Sequence, residues 1–261
     1  MLHTVQKAGH ILNLFSLDQP EWGVSEIAKL LGTSKSSISE LLSTLAEYGL
    51  VNRTFEGRYR LGWRLVTLGR IALETTEFRN HAAEAMEHLA KQVGDAVHLG
   101  ALERHQIVIL AAYPASRRDG EECRPIGMRL PVHCSALGKV ALAYRPWHEV
   151  HRTVETSGMP AWTSHTITDT EIFERELEAV RRRSYAANRE EYATTWCAMA
   201  APIRDQTGTV VAALSLSVPA HRFDEGVKRY GASLLGATRS ISENLGYFPT
   251  IGAKWQRAYS A

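Results

Sequence analysis

The chain has 261 residues, 44% of them hydrophobic and 22% charged, with a formal net charge of +2. That is the make-up of an ordinary soluble globular protein with one large domain or two smaller ones. No apolar run nears the roughly 18 residues of a membrane span, and the start lacks a signal-peptide core. The cysteines, Cys123, Cys134 and Cys197, are odd in number and widely spaced. They argue for a reducing compartment, and the expected location is the cytoplasm, with no membrane partner.

Residues Thr4 to Leu17 place Val5, Ala8, Ile11, Leu12 and Phe15 at helical spacing, predicting a first helix with one buried stripe. Pro20 and Gly23 then break the chain. Ser25 is a good N-cap for a second helix, whose core face is Ile27, Ala28, Leu30 and Leu31, and Gly32 suits the left-handed residue that ends it. Ser34 caps a third helix that buries Ile38, Leu41, Leu42 and Leu45 and closes at Gly49. Outward at its start stand Lys35, Ser36, Ser37, Ser39 and Glu40, small or polar residues that let a helix sit deep in a groove. Serine hydroxyls, N-terminal amides and Lys35 suit phosphates. Leu50 to Thr54 and Arg58 to Leu61 alternate as a hairpin around Glu56-Gly57. The order of elements is that of a winged helix-turn-helix. Between residues 53 and 70, Arg53, Arg58, Arg60, Arg64 and Arg70 face only Glu56, and clustered arginine of this kind tracks phosphates.

From Trp63 to Val93 the pattern stays helical, with a possible kink at Thr75-Thr76. Its apolar face is either a dimer seam or, for the later half, packed on the chain's own second domain. Past Gly94 the period turns strand-like. Ala96 to Glu103 and Gln106 to Tyr113 read as strands joined by a tight turn, and 117–122 as a solvated loop. Helices follow at Ala136 to Tyr144, Trp147 to Thr156 and Asp169 to Ser184. Cys197 to Arg204 and Val210 to Val218 read as strands, and Asp224 to Leu245 as a long amphipathic helix. The tail from Pro249 has no periodicity. Strand hairpins among helices predict an α+β domain on a mostly antiparallel sheet. The expected divisions are 1–62, a linker helix region over 63–93, 94–248, and a tail over 249–261.

These residues carry a resemblance. SEIAKLLGTSKSSISELLSTLAEYGLV and GRYRLGWRLVTLG resemble the winged helix-turn-helix of the isocitrate lyase regulator (IclR) family of bacterial transcription factors. RLPVHCSALGKVALAY and CAMAAPIRDQTGTVVAALSLSVPAHRF resemble that family's effector-binding domain, a GAF-like fold. Three separated motifs in order, from about Thr4 to Leu245, make the match specific. The resemblance implies a dimer or tetramer on double-stranded operator DNA, responding to a small metabolite, often a carboxylic acid. The DNA-binding residues expected are Ser34, Lys35, Ser36, Ser37, Ser39, Glu40, Arg53, Arg58 and Arg60. By position, the effector residues fall on Ala136 and Leu137, Asn188, Cys197, Ser215 and Ser217, with Met128 and Leu130 as an apolar wall. Two departures stand out. Glu40 occupies a commonly basic position, where it suits a cytosine amine. Asn188 stands where some relatives have an acidic residue.

Residue chemistry narrows the rest. Ser215 and Ser217, two apart on a strand, share a face that LSLSV otherwise leaves apolar, and are oriented donors for a carboxylate unless they bond neighbouring backbone. Cys197 either touches the ligand or fills space. His133-Cys134 and His148-x-x-His151 supply no four-ligand pattern, so no metal is expected. No phosphate loop, nucleophile elbow or dinucleotide fingerprint is present, so neither catalysis nor a cofactor is expected. The expectation is a regulator, a repressor by preference, controlled by a carboxylate of aromatic or similar size.

Overall fold

The structure, a computed structural model, describes residues 2–116 and 123–248. The loop expected over 117–122 and the tail expected over 249–261 lie outside the described residues. The chain divides into two compact units that meet in sequence between Thr75 and Thr76.

The first unit runs α1 (His3–Leu12), β1 (Glu21–Trp22), α2 (Val24–Leu30), α3 (Lys35–Glu47), β2 (Val51–Arg53), β3 (Tyr59–Leu61) and α4 (Arg64–Glu74). Its core is Ile11, Ile27, Ala28, Ile38, Leu42, Leu45, Val51 and Tyr59. The first helix is shorter than expected: it ends at Leu12, and Val5 is exposed rather than part of the buried stripe. Gly23, not Ser25, is the N-cap of α2, because Glu26 Oε2 accepts the Gly23 amide at 2.8 Å and does the capping from inside the helix. Gly32, at φ +59, turns the chain between α2 and α3 in the left-handed region that glycine tolerates best. The hairpin β2–β3 gains a third strand that hydrophobic alternation could not announce: β1, two residues long, pairs with β3 through Trp22 and Tyr59.

The second unit is an antiparallel six-stranded sheet in the order β6-β5-β4-β9-β8-β7. The strands are β4 (Ala96–Glu103), β5 (Gln106–Tyr113), β6 (Arg129–Pro131), β7 (Ala186–Arg189), β8 (Trp196–Arg204) and β9 (Val210–Pro219). The helices are α5 (Glu77–Val93), α6 (Ala136–Ala143), α7 (Trp147–Ser157), α8 (Thr170–Arg183) and α9 (Ala220–Asn244). Alternation along each strand sorts two cores. Val97, Leu99, Cys197, Met199, Leu214 and Leu216 face α5 and α9. Ile107, Ile109, Ala200 and Ala213 face α6, α7 and α8. The helical stretch over 63–93 breaks where its two threonines stand, at Thr75 and Thr76, into α4 in the first unit and α5 in the second. No helix among the described residues is long and apolar enough to cross a membrane.

Candidate nucleic-acid interface and ligand cavity

The helix-turn-helix sets α3 with its first turn outward. Ser34 caps it, its hydroxyl accepting the Ser37 amide at 3.3 Å and lying 3.1 Å from the Ser36 hydroxyl. Ile38, Leu42 and Leu45 anchor the inner face, leaving Lys35, Ser36, Ser39 and Glu40 exposed, whereas Ser37 is half-buried. On the wing, Arg53 and Arg60 are exposed at paired or neighbouring positions of β2 and β3.

Arg58 has a different position. Its guanidinium forks onto Glu26, Nη1 to Oε1 at 3.2 Å and Nη2 to Oε2 at 2.8 Å, and also donates to the Glu21 carbonyl at 3.0 Å. A fork of this kind uses the geometry that would otherwise grip a phosphate. Arg58 therefore ties the wing to α2 and β1. The Gly23 amide, and then Arg58, hold the Glu26 carboxyl below the usual carboxylate range.

In the second unit, the α6 face of the sheet holds a small cavity of about 30 Å³. Of the residues that the family resemblance implies, Leu130, Ala136, Leu137, Asn188, Ser215 and Ser217 line it. Two expected residues stand elsewhere. Cys197 lies on the opposite face, in the core with Met199 and Leu216, because odd-numbered positions of β8 point toward α5 and α9. Met128 packs on the α6-side core without lining the cavity.

Ser135 caps α6, accepting the Gly138 amide at 3.1 Å and donating to the Pro131 carbonyl at 2.5 Å. The Ala136 and Leu137 amides, at the helix start, have no acceptor among the described residues. Such amides carry the positive end of the helix dipole and favour an anion. Ser215 donates weakly to the His98 carbonyl at 3.5 Å, while Asn188 Oδ1 accepts the Glu191 amide at 2.7 Å.

Sequence reasoning missed His98, Ile109, Arg124, Ser135, Tyr192 and Ala198 in the lining. Alternation from Val97 and Leu99 would have found His98. Arg124 and Tyr192 sit in loops, where no period points. His98 Nε2 accepts the Arg124 amide at 3.0 Å, which puts the ring proton on Nδ1. Burial, and next the Arg124 charge, push the His98 pKa down to about 3, so the ring is neutral. The Arg124 guanidinium lies over the Tyr192 ring at 5.1 Å. Positive φ at Glu190 (57) and at β-branched Thr195 (68) strains the loop that carries Tyr192.

Behind the cavity, Lys139 of α6 is buried and bonds Glu191 Oε1 at 2.5 Å and the Ala187 carbonyl at 3.0 Å. Glu176 stands 3.5 Å away. Burial lifts the Glu191 carboxyl above its ordinary value against the pull of Lys139, and its Oε2 has no partner among the described residues.

A winged helix-turn-helix with an outward polar helix, followed by a sheet domain with a small cavity of apolar walls and a few polar groups, defines a DNA-binding transcriptional regulator. The chain belongs to the IclR family: residues 4–54 match the IclR helix-turn-helix domain, and residues 71–243 match the bacterial transcriptional regulator IclR C-terminal domain. It is 32% identical over 256 residues to the HTH-type transcriptional regulator XynR of Escherichia coli, covering 95% of this chain and 98% of that one. An IclR transcriptional regulator from a Silicibacter species superposes with a TM-score of 0.83 at 26% identity, over 94% of this chain and 97% of that one. An IclR homologue from Microbacterium hydrocarbonoxydans, solved with 4-hydroxybenzoate, superposes with a TM-score of 0.78 at 25% identity, over 93% and 98%.

Proposed function

We propose that this regulator is a repressor that holds its operator as a homodimer or homotetramer and is released by a small carboxylate of aromatic or similar size. The observation that carries the reading is the cavity's chemistry: two serine hydroxyls, two helix-start amides and the Arg124 guanidinium around apolar walls. Together they suit an anion with an apolar body. The aromatic carboxylate held by the Microbacterium homologue supports that size class. A volume of about 30 Å³ is one water's share of liquid, so such a ligand enters only if Arg124 and Tyr192 move. That movement supplies the differential affinity for two arrangements without which no ligand switches anything.

On the DNA side, Lys35, Arg53 and Arg60 supply phosphate grip, and Ser36, Ser39 and Glu40 sequence choice, with Ser34 and Ser37 shaping the helix start. Fluorescence anisotropy with the promoter beside its own gene tests the whole reading. Specific binding that strengthens with falling salt and weakens with one carboxylate is expected; an absent salt dependence overturns it.

The small cavity also favours a second reading, in which this domain only oligomerises the DNA-binding unit. A thermal-shift screen of carboxylates separates the two, since a ligand at 100 times its Kd adds roughly 2.7 kcal/mol. No shift with any of them would favour the second reading.

A further inference from the structure

The far end of α6 borders a second recess of about 460 Å³, between the β4–β5 turn and α7, which the effector reading leaves unused. Its walls carry Arg104, Arg145 and Arg152, with Thr153 and Thr156 beside them. Only Arg145 has a carboxylate, Glu149 at 3.4 Å. Arg104 and Arg152 are exposed and make no ion pair among the described residues. Three guanidiniums against one carboxylate in a single concavity repel each other, and a bound anion relieves that repulsion.

The end of a helix would normally oppose an anion, since its free carbonyls carry partial negative charge. Here that charge is taken up. Arg181 of α8 donates to the Ala143 carbonyl and, at 3.1 Å, to the Arg145 carbonyl. Its guanidinium is held against the Trp147 ring at 4.4 Å. Arg104 enters the recess from the tight turn between paired Glu103 and Gln106, where its backbone sits at φ +56. The ring of the next residue, His105, has a buried Nδ1 with no partner among the described residues.

We infer that this recess is a second ligand site, for a small phosphate monoester. The guanidinium fork matches tetrahedral phosphate oxygens bidentately. The Thr156 hydroxyl already donates to the Arg152 carbonyl at 2.8 Å, but the Thr153 hydroxyl and a volume well beyond that of a phosphate ion alone fit a small polar body attached to it. The site is independent of the carboxylate cavity, although α6 contributes to both: Ala136 and Leu137 at one end, Leu142 at the other.

Titration calorimetry of the full chain with ribose 5-phosphate, inorganic phosphate and ribose tests this. Saturable binding of the ester at one site per chain is expected, weaker binding of phosphate, and none of ribose. Arg152→Ala should weaken the ester roughly tenfold, about the value of one charge-assisted bond. Arg104→Asn, which keeps the left-handed turn, should do the same. Ser217→Ala, in the other cavity, should leave ester binding unchanged, and Glu149→Gln should tighten it. The inference is overturned if the ester does not saturate at millimolar concentration, or if both arginine variants bind as the parent does. It is equally overturned if Ser217→Ala abolishes binding, or if the arginine variants lose only affinity for DNA.

Discussion

At the scale of single residues, charge and burial decide different things at the two sites. Arg58 looked from the sequence like a phosphate contact on the wing, because its neighbours Arg53 and Arg60 carry no visible partner; the partner, Glu26, lies 32 residues earlier on a helix and becomes visible only in three dimensions. We therefore expect Arg58→Ala to loosen the wing. Thermal melting should show a small loss, since exposed pairs contribute little, and Glu26→Gln should reproduce much of it. Arg53→Ala and Arg60→Ala should leave the melting unchanged and each lower the salt slope of DNA binding by about one per bound copy. His98 gives a pH test. Its folded pKa of about 3 lies below the ordinary 6.5, so the unfolded chain binds the extra proton as pH falls between those values. Stability conferred by the neutral ring is full above pH 6.5 and declines below it, by about 2 kcal/mol at pH 5. Denaturant melts of the chain and of His98→Gln across pH 5 to 8 check this; parallel curves would remove His98 from the account.

At the scale of elements, what was legible depended on whether a residue's role is periodic. The helices α2, α3, α7 and α8 were readable because each buries a stripe at helical spacing, whereas α6 is buried on every side; Ser215 and Ser217 were readable because a period of two leaves them on one face of β9. The strands β1, β6 and β7, of two to four residues, are too short for any alternation to register and exist through pairing with β3, β5 and β8. Cys197 was misplaced for a related reason: a motif gives proximity along the chain, whereas strand parity decides the face. The Lys139–Glu191 pair was not legible at all, because a lysine on an otherwise apolar helix signals its partner only through the fold. That pair fixes α6 to the loop after β7, and hence the helix-start amides to Asn188 and Tyr192. Removing Lys139 alone strands a buried carboxylate. Lys139→Met should cost about 3–5 kcal/mol, whereas Lys139→Met with Glu191→Leu should recover most of that loss in denaturant melts. Recovery of stability without recovery of carboxylate binding would identify the pair as a positioning device for the cavity.

At the scale of the whole molecule, α4 carries an exposed apolar face. None of its residues is buried: Trp63 just before it is 76% exposed, Val66 63% and Ile71 52%. In the same unit Leu2 and Val5 at the start of α1 are exposed as well. Isolated apolar side chains on a surface need no explanation, but a helix without a single buried residue has no packing reason to form within one chain. A second copy of the DNA-binding unit supplies that reason and fits the two-fold symmetry of a palindromic operator. The salt dependence of DNA binding turns this into arithmetic. On the proposed reading Lys35, Arg53 and Arg60 of one copy would neutralise three phosphates, worth a log–log slope of about −3, and two copies would give about −5. Placing charge on the seam, with Val66→Glu and Ile71→Glu, should lower the oligomeric state in sedimentation. It should also bring the slope from the two-copy toward the one-copy value, while the melting of the second unit is unchanged. If sedimentation and slope both stay at the parent's values, α4 is not the seam, and the exposed stripe serves another surface.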